Sequence, residues 1–287
     1  MISKLLGKNK NFWMSAYLRI LYRRYIVKFV LMIRSQTTAP LPPPYLDGFG
    51  YNVYSQNDED GIINEIFKRI GTTNKTFVEF GVQDGLESNG HFLLFSGWRG
   101  LWIDGSKKNI KKIEKKFPQP LSTKQLTAVN AMVTAENIND LIGKNGFNGE
   151  IDLLSIDIDG NDYWVWQAIK CVDPRVVVIE YNAKFPPDCE WIMEYNPGHI
   201  WDRTDNFGTS LKSLELLGAK LGYRLVGTNI NGVNAFFVKS SLAKELFAEP
   251  ATAENLCRAL GAGFPKFFNV GHPNNKYIGN KHSTKKY

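Results

Sequence analysis

The sequence predicts an α/β fold in which helices cover both faces of a mostly parallel sheet, and two observations carry this prediction. Short apolar runs alternate with helical patterns from Phe77 to Tyr181, as in chains built from repeated strand–helix units. Nearer the C-terminus, two further strands are joined by the Asn- and Gly-containing segment 229–234, which is typical of an antiparallel hairpin. We therefore expect a parallel sheet that ends in a hairpin.

Each predicted element follows from a local pattern. Acidic residues before an apolar helical stripe predict a helix that begins within residues 55–61. The remaining helices are predicted at 107–117, 136–143, 162–170 and 209–221. The strands are predicted at 76–80, 100–104, 126–130, 151–157, 176–181, 223–228 and 235–239.

The composition indicates one large globular domain with extensions, in a reducing environment. The 287 residues are 43% hydrophobic, which is enough for a well-buried core. Cys171, Cys189 and Cys257 lie far apart and form no CxxC or Cys/His pattern, which argues against disulfides and a structural zinc site. We therefore expect a cytoplasmic protein.

Residues 1–38 predict a basic amphipathic helix. Charges interrupt every window that is long enough to cross a bilayer, and no apolar run suits a secretory signal. Two alternatives stay open: the helix lies on an anionic membrane surface, at the inner face of the membrane, or it packs on the domain or on a partner subunit of a homo-oligomer. Between residues 12 and 34, the apolar stripe comprises Leu18, Leu21, Tyr22, Tyr25, Ile26, Phe29, Val30 and Ile33, and the basic residues off it are Arg19, Arg23, Arg24 and Lys28.

The chain after this helix divides into three predicted parts. Residues 39–53 are a proline-rich linker, because consecutive prolines stiffen the chain. Residues 54–247 form the main domain, and its long irregular segment 183–208 is predicted to be a substrate lid. Residues 248–287 are a C-terminal extension whose polar end we expect to be disordered.

The first two predicted strands frame a nucleoside-binding crevice. One strand ends in Glu79 and is followed by Gly81 and Gly85, and the next ends in Asp104. Gly81 allows a sharp turn, and an acid at the end of the second strand is placed to accept hydrogen bonds from a ribose diol. Gln83 stands where a dinucleotide fingerprint needs its middle glycine. An acid before the first glycine instead suits a cationic or amino-bearing ligand.

This arrangement resembles the class I S-adenosylmethionine-dependent methyltransferases, and five motifs make it similar to the FkbM-like members. The motifs are SQNDEDGII, FVEFGVQDGLESN, GWRGLWIDGS, LLSIDIDGNDYWVW and GYRLVG…NAFFV, and the similarity spans residues 54–240. The resemblance implies a Rossmann-like seven-stranded sheet whose last strand is antiparallel, with S-adenosylmethionine as cofactor. Relatives commonly have Glu-Pro where this chain has Asp104-Gly105, which departs from the family pattern.

The resemblance also implies contacts to the cofactor. Glu79 and Gly81 would hold its methionine end, and Asp104 would hold its ribose. Ser88 and Asn89 match a Ser-Asn pair that follows the glycine loop in relatives. The full expected cofactor set is Glu79, Gly81, Gln83, Gly85, Ser88, Asn89, Asp104, Gly105, Ser106, Asn130 and Asp157.

Acids at two neighbouring strand ends predict a chemical centre. Asp157 and Asp159 alternate at the end of the fourth strand, and Glu180 and Asn182 follow at the end of the fifth. Their oxygens are the ligands that Mg²⁺ prefers, and a divalent cation would lower the pKa of an acceptor hydroxyl. Two alternatives stay open: the acids cap the next helix and bind water, or Asp157 or Asp159 is a metal-free general base.

The predicted lid supplies one further catalytic candidate. A histidine side chain can accept a proton from a hydroxyl near neutral pH, so His199 is a candidate base; the alternative is a structural loop residue. Trp191 and Trp201 could stack on a sugar or form the core of the lid.

Three function classes compete on this sequence. The leading hypothesis is an O-methyltransferase acting on a sugar or glycan hydroxyl of a surface polysaccharide or its lipid- or nucleotide-linked precursor. The second is a metal-dependent glycosyltransferase that uses Asp157-Ile-Asp159 as a DxD motif, and the third is a non-catalytic binding protein. We expect no nucleic-acid partner, because basic residues concentrate at the two ends of the chain, which carries a net charge of +7.

Overall fold

A computed structural model describes residues 44–202 and 204–258 of the chain. The predicted helix at 12–34, the first part of the linker and the tail from residue 259 lie outside the described residues. The described part contains a seven-stranded sheet of order β3-β2-β1-β4-β5-β7-β6. Strand β7 is antiparallel to both of its neighbours, and the other pairings are parallel. The predicted fold class is therefore confirmed.

The elements follow one another in the predicted alternation. The strands are β1 (Thr76–Phe80), β2 (Arg99–Asp104), β3 (Leu126–Asn130), β4 (Gly149–Ile156), β5 (Val172–Glu180), β6 (Tyr223–Thr228) and β7 (Asn234–Lys239). The helices are α1 (Glu59–Ile70), α2 (Gly90–Phe95), α3 (Lys107–Lys116), α4 (Pro118–Ser122), α5 (Ile138–Lys144), α6 (Asp162–Ala168), α7 (Leu211–Leu221), α8 (Ser240–Ala243) and α9 (Ala253–Leu256). None of these helices is long and apolar enough to cross a bilayer.

Strand β5 begins four residues before its predicted start, at Val172. Pro174 and Arg175 interrupt the apolar run there, so the sequence pattern does not reveal that the strand begins earlier. Proline normally marks the end of a strand. In the structure, Pro174 pairs with Ile151 of β4 within the parallel ladder. The Arg175 side chain is buried beside Asp152 and donates to the carbonyl oxygens of Ile70 and Gly71.

The two faces of the sheet have separate cores, as the alternation of strand side chains requires. In β1, Val78 faces one core and Phe77 faces the other. Helices α5, α6 and α7 pack on the Val78 side, and helices α1, α2 and α3 pack on the Phe77 side. Glu79 shares the side of Phe77, so its carboxylate is directed toward the loop that leads into α2.

Packing extends past both predicted limits of the main domain, 54 and 247. Leu46, within the predicted linker, is buried in the core on the α1 side. Ala248, Ala253 and Leu256, within the predicted extension, are buried in the core on the α7 side. The folded unit among the described residues therefore includes residues on both sides of these limits.

The acids that predicted the start of α1 are buried and hold other parts of the chain. Helix α1 begins at Glu59, and the side chain of the preceding Asp58 makes no capping hydrogen bond. One Asp60 carboxylate oxygen accepts from the backbone N–H groups of residues 53–55, at 2.7–2.9 Å. Glu59 accepts from the side-chain amides of Asn229 and Asn234 in the hairpin. The sequence SQNDEDG thus joins the start of the domain to its last two strands.

The sheet has its topological switch point between β1 and β4. From β1 the chain continues outward through β2 and β3, whereas β4 and β5 lie on the other side of β1. Ligands of open α/β sheets bind outside the carboxyl ends of the strands at this point. At this edge Gly81 has φ +77°, and a Cβ there would lie 1.5 Å from the carbonyl oxygen of Asp157.

We predict that Gly81→Ala destabilises the fold far more than Gly97→Ala does. Both glycines have φ near +80°, but a Cβ at Gly97 has no atom within 4 Å. Strain alone costs about 1–2 kcal/mol at Gly97, and the overlap with backbone at Gly81 adds about 3 kcal/mol or more. Urea denaturation of both variants measures the difference. Equal free energies of unfolding would contradict the close approach of β1 and β4.

Candidate active site

The turn after β1 brings three strand ends together. The N–H of Gly81 donates to the carbonyl oxygen of Ile103 in β2, at 3.0 Å. The N–H of Asp157, after β4, donates to the carbonyl oxygen of Phe80, at 3.3 Å. Gly85 has φ +78°, and a Cβ there would lie 2.6 Å from the Trp102 ring. The glycine spacing therefore serves the close packing of this turn as well as access for a ligand.

Glu79 is buried, and hydrogen bonds within the protein occupy its carboxylate. One oxygen accepts from the N–H of Asn89 at 2.7 Å and the hydroxyl of Ser155 at 3.4 Å. The other accepts from the N–H of Gly90 and from the Trp102 indole, both at 2.9 Å. Burial raises the pKa of Glu79 to about 7, and these hydrogen bonds oppose the rise. In this arrangement Glu79 holds the glycine loop against β1, β2 and β4.

Ser88 and Asn89 are buried and belong to the same framework. The Asn89 amide donates to the Ser155 hydroxyl at 3.1 Å. The Ser88 hydroxyl donates to the carbonyl oxygen of Gly85 at 3.4 Å. Both side chains stabilise the loop, and any contact with a cofactor would come from the backbone that they position.

Asp104 ends β2 with one acceptor position free. One oxygen accepts from the N–H of Ser106 at 2.8 Å and the Asn109 amide at 3.1 Å. Among the described residues, the other accepts only from the N–H of Gln83, at 2.8 Å. A carboxylate has about four acceptor positions, so the second oxygen keeps one for a ligand. Displacement of the Asn109 amide would free a position on the first oxygen, and a diol could then bind both.

The residues after β2 and β3 lie around Asp104. Ser106 caps α3 by accepting from the N–H of Asn109. The Asn130 amide donates to the carbonyl oxygen of Asp104 at 2.9 Å. Gly105 lies against Met132, because a Cβ at Gly105 would be 2.3 Å from the Met132 sulfur. Met132 is itself 53% exposed and offers an apolar surface beside Asp104.

On the other side of Gly81, the ends of β4 and β5 assemble three carboxylates. Oxygens of Asp157, Asp159 and Glu180 all lie within 4.8 Å of one another. Glu180 Oε2 is buried and accepts no hydrogen bond from the described residues. Burial, followed by the charges of the neighbouring acids, raises the pKa values of Asp157 and Glu180 well above their usual range. Partial burial also raises the pKa of Asp159, and His199 opposes this rise.

Asp162 supports the loop that carries Asp157 and Asp159. It is not among the predicted site residues. It is fully buried, and its two oxygens accept from the N–H groups of Ile158 and Gly160, each at 2.9 Å. Burial raises the pKa of Asp162 to about 6, although these hydrogen bonds lower it. The bonds hold Asp159 in the left-handed region, with φ +55°. The sequence does contain a signal for this role, because Asp162 is the third acid in the run Asp157–Asp162. The pattern alone predicts only that a helix starts there.

Hydrogen bonds within the protein hold the Asn182 side chain, which the sequence predicts as a metal ligand. Its amide nitrogen donates to the carbonyl oxygens of Asp205 and Phe207, at 2.9 and 3.2 Å. Its amide oxygen accepts from the N–H of Lys184 at 3.2 Å. The side chain therefore anchors the irregular segment, because the chain leaves the strand geometry after Glu180.

His199 reaches the acid cluster from a position forty residues later in the chain. Its Nε2 atom lies 3.1 Å from the carbonyl oxygen of Asp159, and its ring lies over Gly160. A carbonyl oxygen only accepts hydrogen bonds, so Nε2 carries the proton. In the neutral ring, Nδ1 is then the basic atom.

The irregular segment 183–208 is fixed to the domain at several points. Trp191 and Met193 form backbone hydrogen bonds with Ser210 and Gly208, so the segment closes on itself. Its middle is joined to the strand-four loop by reciprocal hydrogen bonds between Asn161 and Asn196, at 2.7 and 3.2 Å. The predicted lid thus lies against the acid cluster.

The two tryptophans of this segment pack on phenylalanines. Trp191 stacks on Phe185, with ring centroids 4.5 Å apart. Trp201 meets Phe207 edge-on, at 6.2 Å, and donates to the carbonyl oxygen of Thr204. Both rings remain partly exposed. They therefore contribute to the core of the segment and still present surface to solvent.

Comparisons with known proteins give only distant similarity. No family model and no curated protein matches the sequence. Similar solved structures include an O-methyltransferase from Bacillus cereus in complex with SAH, with 14% identity and a TM-score of 0.40; the match covers 77% of this chain and 95% of that chain. They also include M. capricolum TrmK with S-adenosyl-homocysteine, with 13% identity, a TM-score of 0.39 and coverage of 62% and 67%. The SAH-bound N-terminal domain of EvdMO1 has 12% identity, a TM-score of 0.39 and coverage of 74% and 94%. Similarity at this level carries no argument about the activity of this chain.

We predict that Glu79→Gln makes stability less dependent on pH. Because the pKa of Glu79 is raised to about 7 from 4.5, the folded protein keeps a proton that the unfolded chain releases. The contribution of Glu79 to the free energy of unfolding is therefore lost as the pH rises from about 4.5 through 7, by up to about 3 kcal/mol. Urea denaturation across this range tests the effect, with the exposed Glu87→Gln as control. Equal pH slopes for wild type and Glu79→Gln would contradict it.

Proposed function

We propose that the protein is an S-adenosylmethionine-dependent O-methyltransferase that acts on a sugar hydroxyl of a surface polysaccharide or of its precursor. One observation carries the proposal. At the switch point of the sheet, the Asp104 carboxylate lies on one side of Gly81, and the carboxylates of Asp157, Asp159 and Glu180 lie on the other. A nucleoside and a reacting hydroxyl can therefore bind side by side.

The Asp104 side suits the nucleoside half of the cofactor. The free acceptor position of Asp104 can bind a ribose hydroxyl, and Met132 beside Gly105 offers an apolar surface for a flat base. The backbone of the glycine loop approaches the same point, because the N–H of Gln83 donates to Asp104. The methionine end would then extend along this loop toward Gly81 and Asp157.

The carboxylate side suits the charge of the cofactor. S-adenosylmethionine carries a sulfonium and an ammonium group, and Asp157, Asp159 and Glu180 lie close together in partly desolvated surroundings. Charges interact more strongly there than in bulk water. This environment favours a cationic ligand and disfavours a pyrophosphate.

The three carboxylates also fit a divalent cation. Their oxygens are close enough to share one ion, and the buried Glu180 Oε2 lacks a hydrogen-bond donor among the described residues. Oxygen ligands of this kind suit Mg²⁺. When bound, such a cation would contact the acceptor oxygen and lower the pKa of its hydroxyl. Asp157, Asp159 and Glu180 would hold it, without the predicted ligand Asn182.

The residues around this cluster can position the acceptor and take its proton. In the reaction, the acceptor oxygen forms a bond to the methyl carbon as the carbon–sulfur bond breaks, and the bond electrons stay on sulfur. The hydroxyl proton must go to a base, and His199 Nδ1 or the Asp159 carboxylate is available at the cleft. The exposed parts of Trp191 and Trp201 would pack on the apolar face of a sugar ring.

The proposal includes an FkbM-like subfamily and a location at the inner face of the membrane. The FkbM-like assignment depends on the five sequence motifs. A basic amphipathic helix at 12–34 would bring a cytoplasmic enzyme to the inner face of the membrane, where lipid-linked sugars are assembled. Packing of this helix on a partner subunit is the alternative.

We predict that Asp104→Asn weakens S-adenosylhomocysteine binding about tenfold to a hundredfold, because an amide offers fewer acceptor positions to a ribose diol. Asn109→Ala is the matched control: it removes the competing donor, so affinity should stay equal or rise. Calorimetry measures both. Wild-type affinity in Asp104→Asn would refute the nucleoside assignment, and binding of a UDP-sugar without S-adenosylhomocysteine would favour the glycosyltransferase.

We predict that Mn²⁺ binds at the acid cluster, and that affinity rises with pH. The raised pKa values of Asp157 and Glu180 mean that protons compete with the ion at neutral pH. Asp159→Asn should abolish binding without disturbing the loop, because asparagine tolerates a positive φ. The exposed Asp140→Asn is the control. Calorimetry that detects no Mn²⁺ binding at any pH would leave His199 or a carboxylate as a metal-free base.

A further inference from the structure

The outer face of α3 carries an unusual concentration of positive charge. Six of its ten residues are lysines: Lys107, Lys108, Lys111, Lys112, Lys115 and Lys116. They form two parallel rows with four-residue spacing, while Ile110 and Ile113 face the core. Like charges at this spacing destabilise a helix. The lysine rows therefore lower the stability of α3, so folding does not explain why the helix carries them.

Only part of this charge is neutralised. Lys112 and Lys116 lie 3.5 and 2.9 Å from the Asp84 carboxylate. The other four lysines form no ion pair with any residue in the part of the chain that the structure describes. A row of uncompensated ammonium groups attracts anionic groups from solution.

An exposed apolar patch adjoins this lysine face. Phe95 is 68% exposed and Leu86 is 44% exposed. His91 connects them: its ring lies 5.4 Å from that of Phe95, and its Nδ1 lies 3.2 Å from the carbonyl oxygen of Leu86. Tyr54 stacks on His91 at 4.1 Å and on Phe95 at 5.3 Å.

Asp84 links the lysine face to the apolar patch. Asp84 accepts from Lys116 with one oxygen and from the N–H of Leu86 with the other, at 2.9 and 3.4 Å. Phe117, which follows the lysines, meets the His91 ring edge-on at 4.9 Å. The Lys116 ammonium group is thus linked through Asp84 to the exposed Leu86, and the His91 ring connects Leu86 to Phe95.

We infer that this surface docks the domain on an anionic lipid bilayer. Lysines within about a Debye length of acidic headgroups are attracted to them. Leu86 and Phe95 would at the same time enter the boundary between headgroups and acyl chains. A bilayer uses both halves of the surface, whereas a nucleic-acid backbone would leave the apolar side chains in water.

The position of the surface brings the cleft to the bilayer. Leu86 lies in the glycine loop, and α3 begins two residues after Gly105. A lipid-linked acceptor would therefore meet the cleft at the membrane. This consequence depends on the proposed function, but the docking itself needs neither cofactor nor acceptor.

The full-length protein tests the inference by sedimentation with vesicles. Phosphatidylcholine vesicles are compared with vesicles that also contain phosphatidylglycerol, at low and high salt. The triple variant Lys107→Glu, Lys111→Glu and Lys115→Glu should bind anionic vesicles at least about 100-fold more weakly, because each lysine contributes about fivefold and each glutamate is repelled. The control reverses the same number of exposed charges elsewhere, at Lys144, Lys170 and Lys220, and should change binding little.

Phe95→Ser tests the apolar half of the surface. Its effect should be a loss of about tenfold that persists at high salt, because burial of an apolar side chain does not depend on ionic strength. Thermal melting followed by circular dichroism checks that each variant is folded. If the triple glutamate variant does not fold, the triple Lys→Gln variant replaces it and should still bind at least tenfold more weakly.

Four results would overturn the inference. The first is equal vesicle binding by wild type and the lysine variants, and the second is no preference of wild type for phosphatidylglycerol. The third is loss of vesicle binding when inorganic phosphate replaces chloride at constant ionic strength, which would indicate a discrete phosphate site. The fourth is binding of duplex RNA through these lysines by a protein that does not bind vesicles.

Discussion

The close approach of β1 and β4 determines where every other part of the site can lie. Gly81 touches the carbonyl group of Asp157, and no side chain fits between them. This contact sets the spacing between Asp104 and the carboxylates after β4 and β5. The rest of the chain reinforces the contact: Glu79 holds the glycine loop from one side, and Asp162 holds the loop after β4 from the other.

Two kinds of acid therefore surround the same point. Glu79 and Asp162 accept hydrogen bonds from backbone N–H groups and act as part of the framework. Asp157, Asp159 and Glu180 have few donors and face one another. A carboxylate surrounded by donors is satisfied without a ligand, whereas a group of mutually repelling carboxylates is stabilised by a cation or by protons. Hydrogen-bond partners thus separate the structural acids from those available for chemistry.

Much of the fold could be predicted from the sequence, because periodicity and turn residues are local signals. Strands β1 and β3 have their predicted bounds, and the hairpin and strand polarity follow the sequence pattern. The extension of β5 through Pro174 could not be predicted, because the pairing with Ile151 is a long-range contact. The positions of the acids at the strand ends could be predicted from the local sequence. Their hydrogen-bond partners could not be predicted, because these too are long-range contacts. Asn182 and Asp162 show this limit, since each depends on which backbone groups the tertiary structure brings near.

The irregular segment is attached to the loop that carries Asp159. Opening of this segment would therefore be coupled to proton exchange at the neighbouring acids. Asn196 and His199 bind this loop directly, and their presence helps to desolvate the acids beneath. Opening of the segment would admit water to Asp157 and Glu180, whose affinity for protons is raised by burial, and these acids would then release protons to the solvent. Thermodynamic linkage requires the converse: a more acidic medium favours the closed form. Substrate entry would then make the site more negative, because the acids ionise as the segment opens. A cationic ligand would bind to the ionised acids.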